Sequence, residues 1–67
     1  MMTRDEAIKF AEMSALMALD AWQDYGTLQN AIDSHRDNIR DTLNEQRAME
    51  HEAEAWAVYD RVINAKR

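Results

Sequence analysis

The chain has 67 residues, a formal net charge of −5, 46% hydrophobic residues, and neither cysteine nor proline. This length fits one domain at most, and the acidic balance disfavours nucleic acid and anionic membranes as direct ligands. The lack of cysteine excludes disulfides and thiolate metal sites. A domain this small leaves much of its surface uncovered, so we expect a partner subunit to supply the missing stability.

The first predicted helix covers residues 3 to about 25. Thr3 and Glu6 fit a capping box, in which each side chain binds the other residue's backbone amide. Gly26, the only glycine, is expected to end this helix in the left-handed conformation. Thr27 can then cap the next helix at once, and so short a connection predicts that the two helices are antiparallel.

Large apolar side chains make the apolar face of this first helix wider than a two-helix seam requires, and Leu16 interrupts its polar side. Such a helix is expected to have more than one neighbour. Methionine and tryptophan side chains suggest a partner groove, because methionine adapts to varied ligands, although core packing is the usual explanation at helical spacing. The residues concerned are Met13, Met17, Trp22, Met49 and Trp56.

The second predicted helix covers residues 28 to about 65. From Leu28 to Ile63 the stripe residues follow an unbroken 4-3 spacing, which is typical of a helix that keeps one stripe against a partner helix. The segment from Thr42 to Glu45 fits another capping box, so a break near Thr42 that gives three helices is the alternative. Because no glycine or proline marks a turn there, the continuous helix is favoured.

A continuous second helix is about 60 Å long, whereas the first is about 33 Å and covers it only to about Glu50. The uncovered end is strongly apolar and has to pack on something, and a second copy is the simplest source. We therefore predict an all-α fold, a helical hairpin with a long second helix that dimerises into a helical bundle. The alternative is a monomeric three-helix bundle. The predicted interface consists of Met49, Ala53, Trp56, Tyr59, Val62 and Ile63.

Polar and charged residues on the second helix suggest further roles. His35, Thr42 and Gln46 interrupt the apolar stripe and are predicted to fix register and partner choice. The metal-site pattern Glu-x-x-His does not form, since Ala48 stands three residues before His51, so no metal or cofactor is expected. An acidic patch is either solubilising charge or an imitation of a DNA backbone. It consists of Glu45, Glu50, Glu52 and Glu54.

The sequence favours an interaction protein over an enzyme. Ser34 and His35 point about 100° apart on a helix, and one glycine cannot build a phosphate loop. We expect a protein–protein interaction module that self-associates and binds or inhibits a larger protein machine. The alternatives are an acidic DNA mimic and a helical DNA-binding regulator that uses Arg36, Arg40 and Arg47. No targeting segment or membrane span is visible, so we expect a soluble, cytoplasmic protein.

Overall fold

The computed structural model describes residues 1–66, and these form three α-helices without any strand. The first, α1, spans Arg4–Ala21. Its capping box is present as predicted: the Glu6 amide donates to Thr3 Oγ1 (3.2 Å), and the Thr3 amide donates to Glu6 Oε1 (3.0 Å). The hydrogen bond from the Thr3 amide to the Glu6 carboxylate lowers the pKa of Glu6, because it favours the charged form.

The predicted turn at Gly26 is confirmed, although α1 ends earlier than predicted. A short 3₁₀ turn, Trp22–Tyr25, continues from α1, and Gly26 follows with φ of +88°. The second helix, α2, spans Leu28–Glu45, and Thr27 Oγ1 caps it by accepting from the Asn30 amide at 3.1 Å. Both helix starts were thus readable from their capping residues.

The prediction of one continuous helix from Leu28 to about residue 65 is wrong. The chain turns a corner after α2, where Arg47 adopts a left-handed φ of +54°. The Ala48 amide donates to the Leu43 carbonyl (2.8 Å), and the Arg47 amide donates to the Asn44 carbonyl (3.2 Å). This pair of bonds is the Schellman motif, which ends a helix and usually places glycine at the left-handed position.

A three-helix chain was the alternative prediction, and it is confirmed, but the corner lies beyond Thr42. The segment from Thr42 to Glu45 forms the last turn of α2 rather than the start of a new helix. After a 3₁₀ turn at Met49–His51, the third helix, α3, spans Glu52–Lys66.

The three helices run up, down and up. The Met2 amide donates to the Gln46 carbonyl at 3.1 Å, which places the start of the chain beside the end of α2. Ion pairs between α2 and α3 join Arg36 to Asp60 and Arg40 to Glu52, in reversed order, so these helices are antiparallel. The radius of gyration of 11.4 Å is close to the roughly 11 Å expected for a compact domain of this size.

The fully buried side chains on α1 are small, and the largest fully buried side chains come from the other two helices. The largest fully buried side chains are Tyr59, Ile39 and Leu43. The inner face of α1 is lined by fully buried alanines, which allow α2 and α3 to approach it closely. These alanines are Ala7, Ala11, Ala15 and Ala18.

Because α3 folds back onto α1, the apolar end of the chain is covered within one molecule. Tyr59 and Ile63 lie in the core. The premise that led to the predicted dimer, an uncovered helix end, therefore no longer holds. None of the helices in residues 1–66 combines the length and apolar character needed to cross a bilayer.

Candidate docking surface on α1

The outer face of α1 carries large apolar side chains that no other helix covers. Met13, Leu16 and Met17 are 54%, 40% and 59% exposed. Met13 lies three residues before Leu16 and four before Met17, so it neighbours both of them on one face, opposite the buried alanines. α2 and α3 both pack against the alanine side of α1, so this second apolar surface faces water.

Charged side chains border these three residues along the helix. Lys9 precedes Met13 by one turn, Asp20 follows Leu16 by one turn, and Glu12 lies to one side; all are exposed. We refer to Lys9, Met13, Leu16, Met17 and Asp20 together as the outer stripe.

Two further aromatic residues are partly exposed beyond the carboxyl end of α1. Trp22 and Tyr25 belong to the 3₁₀ turn that follows the helix. The ring of Tyr25 meets the ring of His35 edge-on, with centroids 5.9 Å apart at an angle of 81°. His35, predicted to set register within a helix stripe, is half-buried and contacts this turn.

The other polar stripe residues lie near the corner. Thr42 is half-buried in the last part of α2, where its carbonyl accepts from the Gln46 amide at 2.9 Å. Gln46 is exposed and caps the end of α2, and its carbonyl accepts the hydrogen bond from Met2. These residues are therefore placed at a helix end rather than along a continuous stripe.

The residues predicted to form a self-association interface are mostly used inside the molecule. Tyr59 and Ile63 are buried, while Met49, Trp56 and Val62 are half-buried and pack against the core. The remaining residue, Ala53, is exposed.

Three of the four carboxylates in the predicted acidic patch contact basic side chains. Glu45 and Glu50 are exposed, and Glu50 Oε1 lies 3.6 Å from Nε2 of His51. Glu54 accepts two hydrogen bonds from the guanidinium of Arg4, one of them at 2.6 Å. This interaction lowers the pKa of Glu54. Glu52 lies 4.0 Å from Arg40. The pairing spreads positive charge through the patch and makes it a poorer imitation of a phosphate backbone.

Two of the three arginines considered for a DNA-binding face, Arg36 and Arg40, are engaged in ion pairs. Arg36 binds Asp60 at 3.0 Å and lies 5.1 Å from the centroid of the Trp56 ring. Trp56 in turn meets Tyr59 edge-on at 5.6 Å. These contacts tie α2 to α3, so the guanidinium of Arg36 contributes to the fold.

The hydroxyl of Tyr59 lies at the buried end of the contacts that join Arg36, Trp56 and Tyr59. The Tyr59 hydroxyl is buried and has no hydrogen-bond partner among residues 1–66. Burial raises the pKa of Tyr59, because desolvation disfavours the phenolate. A buried hydroxyl without a partner reduces stability relative to an apolar group of the same shape.

Residues 1–66 contain no detectable cavity and no group of three metal-ligating side chains. No known protein family, curated protein or solved structure shows a significant match to the chain.

The sequence contains a signal for this surface. Leu16 interrupts the polar side of α1, and Met13 and Met17 widen its apolar face. Because Met13 lies three residues before Leu16 and four before Met17, the three form one patch on a helix. Recognising the patch required knowing that alanines would form the inner face.

Proposed function

We propose that the protein is a small acidic interaction module that binds a larger protein through the outer face of α1 and regulates it. The observation that supports this proposal is an inversion of the usual burial pattern. α1 buries four alanines and leaves Met13, Leu16 and Met17 half-exposed. Burying a side chain of that size stabilises a protein by about 1.5–3 kcal/mol, so folding stability alone would favour the opposite arrangement.

Contiguity distinguishes this surface from ordinary exposed side chains. Single apolar residues on a protein surface are common, but a patch bordered by charges is typical of an interaction site. Methionine suits such a site because its unbranched, polarisable side chain adapts to the shape of a partner. The net charge of −5 favours a partner with a basic surface, since complementary charge increases the association rate.

Site-specific photo-crosslinking in the cells that produce the protein tests this proposal. A photoreactive amino acid at Met17 is expected to form an adduct with a larger protein, whereas the same group at exposed Asp41 on α2 is not. Leu16→Glu should remove the adduct by placing a charge in the apolar contact, while its circular dichroism stays unchanged. Equal crosslinking from both positions, or none from Met17, would contradict the proposal.

A further inference from the structure

The charges at the two ends of the outer stripe have opposite signs. Lys9 stands at the amino end and Asp20 at the carboxyl end, with Met13, Leu16 and Met17 between them. Within residues 1–66, neither Lys9 nor Asp20 lies within 4.0 Å of an oppositely charged group, whereas Arg4, Arg36 and Arg40 all do. The stripe therefore has an apolar centre, a positive end and a negative end.

A stripe with this polarity is complementary to itself when reversed. We infer that α1 pairs with α1 of a second copy in an antiparallel, two-fold arrangement centred between Met13 and Leu16. Lys9 of each copy then lies opposite Asp20 of the other, and Met13 lies opposite Leu16. The two ion pairs are about 17 Å apart along the helix and flank the apolar contact on both sides.

The charges of the stripe favour a second copy over other helices. Counting Glu12 at its side, the stripe presents one positive and two negative groups, so a uniformly basic helix meets one like charge and a uniformly acidic helix meets two. A parallel copy places Lys9 against Lys9 and Asp20 against Asp20. The antiparallel copy places both charges opposite partners of the other sign, which is the arrangement that charge complementarity selects.

Residues beside the stripe are compatible with this pairing. In the same register Glu12 is level with Met17 of the second copy, so it stands at the rim of the apolar contact without facing a like charge. Asp5 is level with Asp24 near the ends of the contact, where both side chains are exposed and water and salt weaken their repulsion. The contact covers about three turns of one helix, which makes it a small, reversible interface rather than an obligate one.

This inference deepens the proposed function by naming the first occupant of the docking surface. A second copy on the stripe covers the same three apolar residues that a larger protein would contact. Self-association then sets the concentration above which the module is withheld from that partner.

A charge-swap series measured by analytical ultracentrifugation at physiological ionic strength tests the pairing. The wild-type chain is expected to dimerise weakly, between roughly 10 µM and 1 mM, as a small interface implies. Lys9→Glu and Asp20→Lys should each weaken the dimer about five- to tenfold, because each substitution creates two repulsive contacts per dimer. The double variant should return to within about twofold of the wild type, since its charges are exchanged but still complementary.

Matched controls separate the stripe from overall charge. Lys66→Glu and Asp41→Lys make the same changes in net charge at exposed positions outside the stripe and should leave the dimer unchanged. A monomer at 1 mM overturns the inference, and so does a dimer that the single reversals do not weaken or that the double variant does not restore. A monomeric chain that still crosslinks to a larger protein from Met17 would retain the proposed function. A dimer whose only adduct has twice the chain mass would retain the inference alone.

Discussion

Replacing Arg47 with glycine should stabilise the protein, because Arg47 holds the left-handed corner between α2 and α3. A non-glycine residue in this conformation costs about 1–2 kcal/mol. Glycine removes that cost but loses about 0.5–1 kcal/mol through the greater freedom of the unfolded chain. The expected net gain for Arg47→Gly is therefore about 0.5–1 kcal/mol.

Arg47→Ala is the matched control for this substitution. It removes the same side chain and the same charge but keeps the cost of the left-handed backbone, so it should differ little from the wild type. Urea unfolding followed by circular dichroism measures both variants. With a slope of about 1 kcal/mol per molar urea, Arg47→Gly should raise the midpoint by about 0.5–1 M.

The sign of the stability difference between Arg47→Gly and Arg47→Ala distinguishes the corner from a continuous helix. In the middle of a helix, glycine destabilises by about 0.8–1.0 kcal/mol relative to alanine. An Arg47→Gly protein that is less stable than Arg47→Ala would therefore refute the corner. Equal stability of the two variants would show that residue 47 does not carry the left-handed strain.

Three further variants test the core and the ion pair at the start of α1. Tyr59→Phe should be neutral or stabilising near pH 7 by denaturant unfolding, because it removes a buried hydroxyl without a partner. Since the pKa of Tyr59 is raised in the folded protein, wild-type stability should fall as the pH rises above about 10, and Tyr59→Phe should reduce that fall. Since the pKa of Glu54 is lowered, its charged carboxylate stabilises the fold above about pH 4.3, and this contribution to stability is lost on acidification. Glu54→Gln should therefore lose less stability than the wild type between about pH 7 and pH 3. Ala11→Leu should lower the thermal midpoint by several degrees, because added volume in the fully buried face of α1 costs about 1–3 kcal/mol.

The local chemistry of helix starts was readable from the sequence. Thr3 and Thr27 cap α1 and α2 as their residue types predict, and Gly26 takes a positive φ at the first turn. Each of these features depends on a few neighbouring residues, so no knowledge of the tertiary structure was needed.

The second corner could not be predicted in the same way. Arg47 gives no turn signal, and the surrounding residues are good helix formers. The structure adopts the strained conformation because folding back buries Tyr59 and Ile63 on α1. Burial of such side chains contributes about 1.5–3 kcal/mol each, which exceeds a left-handed cost of about 1–2 kcal/mol. This balance involves residues that are far apart in the sequence, so the hydrophobic periodicity does not report it.

The docking surface depended on the same tertiary choice. The periodicity of α1 indicated one wide apolar face and an interruption of the polar side by Leu16, but not which apolar residues the other helices would cover. Packing selected the alanines, where α2 and α3 can both approach α1 closely, and this left Met13, Leu16 and Met17 outside.

The chain folds back after α2, and this leaves the outer face of α1 uncovered. The distance between spin labels at Gln29 and Asn64, both exposed, tests it most directly. The chain has no cysteine, so Gln29→Cys and Asn64→Cys give two unique labelling sites. Dilution with unlabelled protein removes the distances between labels on different copies. The folded-back chain predicts a distance within the longest dimension of the molecule, 33 Å. A continuous second helix would instead place the labels about 52 Å apart, and that distance would show that the chain does not fold back after α2.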